Sequence, residues 1–419
     1  MSDFDLLRRI DPQLAVLLDA EQRRHDTTID LIASENYASP AVLAATASVL
    51  SAKYAEGYPG KRYYQGNTIV DQIEQLAIDR ARATFGAAYA NVQAHSGAEA
   101  NHAVYYALCE PGDTTIGMDV PSGGHLSHGS PVTFVRRYYN PVLYQVDPDT
   151  ERIDHEKLAT IVAERRPKLL MIGTSSYPRR FDWARLAEIA HGAGAWLVAD
   201  IAHLAGLVAG GALDNPLPYA DVVTTTTHKT LRGPRGALIL TNNEDVAGRI
   251  NKAVFPGLQG GPHQHHIAGI AVTLAQAQTP AFAAYAHQII ANAQALAAGL
   301  LDHGFQLVTG GTDTHLLVLK LAASGIDLTG REAADALEAT GIVANRNPIP
   351  YDPNPPYNPG GIRYGTPAMT TCGMREPQMR RIADWTAEIL RHPEDETRLE
   401  RIRGEVVTLR KEFAGLGQP

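Results

Sequence analysis

Asp200, His203, His228 and Lys229 close two apolar runs and together supply a carboxylate, two imidazoles and an amine. A lysine kept from water, or placed beside other cations, holds its proton less tightly, and its free amine then attacks a carbonyl to form a Schiff base. Pyridoxal phosphate is the cofactor that needs such a lysine. It also needs a carboxylate at its pyridine nitrogen, because the protonated ring is what draws electrons from a substrate's Cα. Asp200 and Lys229 have the residue types for both tasks. Spacing alone leaves a plainer reading open, in which Asp200 caps a helix and Lys229 lies in a solvated loop.

The elements that must carry these residues are legible as apolar runs. Ala195–Ala199 has no polar alternation, which predicts a strand covered on both faces of a parallel sheet. Asp221–Thr227 is β-branched nearly throughout, and Ala237–Leu240 follows the turn Arg232-Gly233-Pro234-Arg235-Gly236. In open α/β sheets the carboxyl ends of the strands form the ligand crevice, so the four polar residues are expected to meet there. Leu169–Thr174 reads as another buried strand that brings Ser175 and Ser176 to the same edge.

A chain of 419 residues exceeds what one hydrophobic core usually serves. The pattern predicts an N-terminal arm over residues 1–30, a large domain over 31–301 and a small α/β domain over 302–419. An amphipathic segment from Pro12 to about His25 carries Leu14, Leu17 and Leu18. Ile69–Phe85 reads as a helix with Glu74, Asp79 and Arg82 on its polar face. A long alanine-rich helix opening at Thr279-Pro280 is expected to join the two domains. Beyond it come strands near Gln306–Val308, His315–Leu321 and Ile342–Asn345, with a helix over Arg331–Thr340.

The net charge of −8 argues against nucleic acid as a partner, yet it permits a local basic pocket for phosphate. Two cysteines, Cys109 and Cys372, are too few for a disulfide framework and suit a reducing compartment. No run approaches the ~20 apolar residues of a membrane span, and the first residues lack the apolar core of a signal peptide, so the expected location is the cytoplasm. Ser96, Gly97 and Ala98 open a helix, and backbone N–H groups at such a terminus bind phosphate. The cluster His263, His265 and His266 invites a metal, but no carboxylate or cysteine completes a ligand set there, and none is expected. Pro178-Arg179-Arg180 reads as a solvated turn.

Several words in this chain resemble those of one family. In order they are LIASENY, KYAEGYPGKRYY, NVQAHSGAEAN, GGHLSHGSPV, ADIAHLAGLVA with TTTTHKTLRGPRG, FPGLQGGP, GGTDTHL and GIRYGTPA, running from about Leu31 to about Thr370. The family is serine hydroxymethyltransferase, of the fold-type I pyridoxal phosphate enzymes. The resemblance implies an α/β fold with a large domain around a mostly parallel sheet and a smaller C-terminal domain. It implies that Lys229 carries the cofactor, that Asp200 meets the ring nitrogen, and that His125 stacks on the ring. Ser175, His203 and His228 border it. Ser96, Gly97 and Ala98 hold the phosphate, with Tyr54, Gly260 and Gly261 reaching it from a partner subunit.

The same resemblance gives Ser34, Tyr64, His203 and Arg363 to the amino acid substrate and makes Glu56 the proton-transfer group, with Tyr64 and His228 beside it. Val120, Gly124, Leu126 and Asn347 fall on the side of tetrahydrofolate, the implied cosubstrate. A homodimer or dimer of dimers with shared sites follows, with the N-terminal arm packed on the partner. An arginine at position 363 suits the α-carboxylate of serine or glycine, because its guanidinium binds two oxygens at once and fixes the breaking bond.

The chain departs from the family pattern at Glu99, where glutamine is usual, and at Val120, Pro121 and Ser122. It departs again at His263 and His266 and at Tyr351, where asparagine is expected. An anionic Glu99 beside a phosphate is costly, so it is expected to face solvent or a cation. The folate-side departures leave open cleavage of threonine, transfer to an aldehyde, or an α-methylserine substrate. A silent binding scaffold is the remaining alternative.

Overall fold

The computed structural model describes residues 3–413. Seven strands lie side by side in the order Tyr89–Asn91, Ala237–Thr241, Val222–Thr226, Trp196–Asp200, Leu169–Gly173, Thr114–Met118 and Asn140–Tyr144. Ala237–Thr241 runs antiparallel to both of its neighbours, and the other pairs are parallel. Leu169–Gly173, Val222–Thr226 and Ala237–Thr241 are buried at every position, which is why their sequences show no alternation. The strand before the site runs one residue later than its apolar run predicts. Asp200 is thereby part of the sheet, paired in register with Gly173 on one side and Thr224 on the other.

Helix Thr68–Phe85 ends at Gly86, whose φ of 71° is the left-handed turn that glycine accepts without a Cβ clash. Its buried positions are Val70, Glu74, Ala77, Ala81 and Phe85, spaced as one helical stripe. Glu74 therefore lies on the buried face, and its expected place on the polar face with Asp79 and Arg82 is corrected. Its carboxylate accepts hydrogen bonds from Arg62 at 2.8 Å, Gln93 at 2.6 Å and Gln264 at 2.8 Å. Arg62 also donates to the carbonyls of Ala55 and Gly57, so this buried pair holds the segment around Glu56.

A second sheet has the order Gln306–Leu307, Leu316–Lys320, Gly361–Gly365 and Asn345–Asn347, antiparallel throughout. Its core includes Trp385, Tyr364, Leu319 and Ile382, together with Ile29 and Leu31 from the start of the chain. The strand Ile29–Asp30 pairs with Ile342–Val343, so the end of the segment 1–30 packs with the C-terminal core, and Leu31 joins it there. Two residues are too few to display a period, which hides such a strand from pattern reading. Helix Pro280–Asp302 serves both cores, with Phe282, Ala286 and Ile289 in one and Leu296 and Leu300 in the other.

The helix Pro12–Thr27 buries only Ala15 and leaves Leu14, Leu17 and Leu18 exposed. Among the described residues no single helix is long and apolar enough to cross a membrane. Replacing Glu74 by alanine removes the acceptor of a buried guanidinium and two amides. The expected cost is about 3–5 kcal/mol, seen as a lower urea midpoint of unfolding; an unchanged midpoint would contradict the buried pairing.

Candidate active site

A cavity of about 350 Å³ opens where the strands ending at Gly173, Asp200 and Thr226 deliver their next residues. Its lining brings together Ser34, Ser96, Gly97, Ala98, His125, Ser175, Asp200, His203, His228, Lys229 and Arg363, all anticipated from the sequence. Glu35, Thr174, Ala202, Thr226 and Arg235 complete the wall.

Asp200 is buried, and the donors around it are neutral. Its Oδ2 accepts from Asn101 Nδ2 at 2.8 Å and faces His128 Nε2 at 2.9 Å, while Oδ1 accepts from the Ala202 N–H at 3.0 Å. The His125 backbone N–H points at His128 Nδ1, 3.3 Å away. His128 Nδ1 is therefore an acceptor, and Nε2 carries the proton that it donates to Asp200. Burial pushes the Asp200 carboxyl up, but the hydrogen bonds from His128 and Asn101 overcome this and hold it well below the carboxylate range. Asp200 is thus an ionised carboxylate in the wall of the cavity. His125, His128 and Asp200 also lie close enough to share a metal ion. Their atoms are already engaged with one another and with Ser127, whose Oγ is 2.7 Å from His125 Nδ1.

Lys229 follows the strand Val222–Thr226 on a turn fixed from several sides. Asn36 Nδ2 donates to the Lys229 carbonyl at 2.9 Å, and Thr230 Oγ1 donates to the His203 carbonyl at 3.0 Å. A Cβ on Gly206 would lie 2.1 Å from the Thr230 carbonyl oxygen, so the two turns approach as only glycine allows. Burial pushes the Lys229 amine down to about 8; Asp200 pulls the other way, and Arg363 and Arg235 add to the fall. His203 Nδ1 lies 3.1 Å from His315 Nε2, both rings buried and both pushed toward the neutral form, chiefly by burial. Arg235 donates to His228 Nε2 at 3.2 Å, leaving His228 Nδ1 buried without a partner among the described residues.

Arg363 is buried on the strand Gly361–Gly365 and donates to Asn345 Oδ1 at 3.0 Å and the Ser175 carbonyl at 2.7 Å. It has no carboxylate partner among the described residues, and burial pushes it down to about 10. Arg179, expected in a solvated turn, instead donates to Thr309 Oγ1, the Thr309 carbonyl and Asp313. That ties the loop after Gly173 to the C-terminal sheet.

Other anticipated residues stand outside this cavity. Glu56 Oε1 would lie 3.1 Å from a Cβ on Gly260, and the Tyr54 ring 3.3 Å from one on Gly261, while the rings of Tyr54 and Tyr64 are 5.1 Å apart. These five residues form a separate cluster with exposed tyrosines. Val120, Gly124, Leu126 and Asn347 likewise do not line the cavity. Glu99 turns neither to solvent nor to a full cation. Its Oε2 is 3.6 Å from His95 Nδ1; burial raises its pKa and lowers that of His95. His95 in turn stacks on His263 with centroids 3.9 Å apart.

Asn101, His128, Arg235 and His315 are the site residues that sequence reasoning missed. All four stood inside quoted motifs, and His128 repeats His125 at a spacing of three.

The wall suits a phosphorylated aldehyde cofactor. Ser96 caps the helix Gly97–Leu108, a Cβ on Gly97 would meet Thr226 Cγ2 at 2.6 Å, and that helix terminus, whose N–H groups suit a phosphate, lies in the cavity wall. A buried anion, a lysine of lowered pKa and an imidazole nitrogen without a partner among the described residues share the same space. Fold and site together define a fold-type I pyridoxal phosphate enzyme. The family model described as serine hydroxymethyltransferase matches residues 7–386. A protein of Acidobacterium capsulatum with that name is 51% identical over 407 residues, 97% of this chain and 95% of the relative. One of Crocosphaera subtropica with the same name is 52% identical over 395 residues, 94% and 92% of the two chains. The chain belongs to the serine hydroxymethyltransferase family, whose cofactor is pyridoxal phosphate and whose cosubstrate is tetrahydrofolate.

The amine of Lys229 becomes neutral as pH rises through about 8. In the cofactor-free enzyme its reaction with pyridoxal, followed by absorbance, is expected to accelerate up to that pH and level off above it. A rate still climbing toward the ordinary lysine value of about 10.4 would contradict this environment.

Proposed function

We propose that the chain converts serine to glycine and passes the released one-carbon unit to tetrahydrofolate. The observation that carries this reading is Arg363, a buried guanidinium with no carboxylate partner among the described residues, in the same cavity as Lys229 and Asp200. A buried cation of this kind calls for an anionic ligand, and an α-carboxylate matches its fork.

Bound pyridoxal phosphate supplies the electron sink for the bond broken at Cα. Lys229 would hold it through its amine, and Asp200, fixed by Asn101 and His128, would keep a proton on its ring nitrogen. His125, Ser175, His203 and His228 would border its ring, and the Ser96–Ala98 amides would hold its phosphate. Ser34 and Arg363 would take the substrate carboxylate and so orient the bond to be broken. Glu56 moves the hydroxyl proton, with Tyr64 beside it. Val120, Gly124, Leu126 and Asn347 meet the folate.

Glu56, Tyr54, Tyr64, Gly260 and Gly261 gather away from their own Lys229. This supports a homodimer, or dimer of dimers, in which each subunit lends that cluster to its partner. The exposed apolar stripe of Pro12–Thr27 suits a covering subunit. We place the enzyme in the cytoplasm and metal ions outside its chemistry.

Purified enzyme given serine and tetrahydrofolate is expected to form glycine, faster than it cleaves threonine with or without an added aldehyde. Faster threonine turnover would overturn the proposed substrate. Arg363→Ala is expected to raise KM for serine about a hundredfold, which is about 2.7 kcal/mol. Mixing inactive Lys229→Ala with inactive Glu56→Gln subunits under exchange conditions is expected to restore activity in hybrids. No recovery would refute the shared site.

A further inference from the structure

We propose that Tyr351 and Ser122 form a clasp on Val146 that sets the width of the tetrahydrofolate side of the site. Tyr351 O–H donates to the Val146 carbonyl at 2.6 Å, and the Val146 N–H donates to Ser122 Oγ at 3.3 Å. Both backbone groups of one residue are thus taken by side chains from two distant segments. Both side chains are departures from the family pattern, and they meet at the same place.

The backbone at Tyr351 explains why a tyrosine there needs a reason. Its φ is 55°, in the left-handed region where asparagine is enriched and an aromatic residue is strained. Asparagine is the residue the family pattern expects at this position. Tyrosine gives up that ease and gains reach, for its hydroxyl spans from the C-terminal sheet's loop to Val146, two residues beyond the edge strand Asn140–Tyr144. At its far end the loop is held by the Gly330 N–H on the Pro359 carbonyl at 2.8 Å, the Leu321 N–H on the Gly360 carbonyl at 3.1 Å and the Arg331 N–H on Asn358 Oδ1 at 3.3 Å, and around Tyr351 it is braced within itself. Asp352 accepts from the backbone N–H groups of Ile349, Asn354 and Gly360. The opposite segment is equally firm, with Asp119 accepting from the Ser122 N–H at 2.8 Å and from Gln145 Nε2 at 3.0 Å.

Chain connectivity turns this into a constraint on the second substrate. Ser122 sits between Val120 and Gly124, and Tyr351 lies four residues beyond Asn347. The clasp therefore joins the two segments that carry the folate-side residues and fixes their separation before ligand arrives. Preorganisation of this kind lowers the cost of binding, and its loss weakens binding by the fraction of time spent open. Tyr351 acts as a positioning residue. The assignment of its ligand rests on the proposed function.

The test uses the holoenzyme with Tyr351→Phe and Tyr351→Asn. Both are expected to speed deuterium exchange in residues 348–360 and to raise KM for tetrahydrofolate by about two- to tenfold, the range of one hydrogen bond. KM for serine is expected to stay within about twofold. The asparagine variant relieves backbone strain, so a merely structural tyrosine would leave exchange unchanged or slower. Unchanged exchange in both variants overturns the clasp. Faster exchange with KM for tetrahydrofolate unchanged or lower overturns its role in binding. Failure of the unaltered enzyme to use tetrahydrofolate strikes the function instead, and the exchange result still judges the clasp.

Discussion

One buried carboxylate sets the terms for everything around it. Asp200 sits at a strand end with Asn101, His128 and a backbone N–H as its donors, each neutral. An ionised group in such surroundings is tolerable only when its lone pairs are satisfied and a compensating charge is near. Neighbouring elements answer to this need. Thr224 donates to Asn101 Oδ1, and Asn101 also donates to Ser127. The His125 backbone sets the tautomer of His128. The tight turns at Gly206 and Lys229 then carry the amine into the same space.

Polarity is divided between the two sheets. The seven-stranded sheet supplies the anion and the amine, and the four-stranded sheet supplies Arg363. They are joined at the loop after Gly173, where Arg363 reaches the Ser175 carbonyl and Arg179 reaches Thr309 and Asp313. The cavity lined by Lys229 and Arg363 spans that junction. The site is therefore assembled by docking, and neither sheet holds it alone.

Much of this was legible because strand ends in an α/β sheet are where short apolar runs stop. Asp200, His203, His228 and Lys229 follow directly from that rule, and Arg363 follows from a recognisable word. Glu74 was misread because an amphipathic pattern assigns a carboxylate to water, whereas Arg62, Gln93 and Gln264 satisfy it inside. The strand Ile29–Asp30 was too short to carry a period. The contact of Tyr351 with Val146 joins residues 205 apart in sequence, and no local pattern encodes such a pairing. Arg179 read as surface charge because nothing nearby in the chain announces Thr309.

The start and finish of the polypeptide are sewn together. Ile29–Asp30 lies beside Ile342–Val343, and Arg410 in the last helix donates to the carbonyls of His25 and Thr28. The C-terminal core is in this sense made from both termini, with the second half of the helix Pro280–Asp302 as its floor. A piece excised at residue 302 would lose a strand and that floor at once, baring Leu319, Ile362 and their neighbours to water. The strand Ile29–Asp30 is synthesised long before its partner Ile342–Val343, so this core closes only once that later segment has been made.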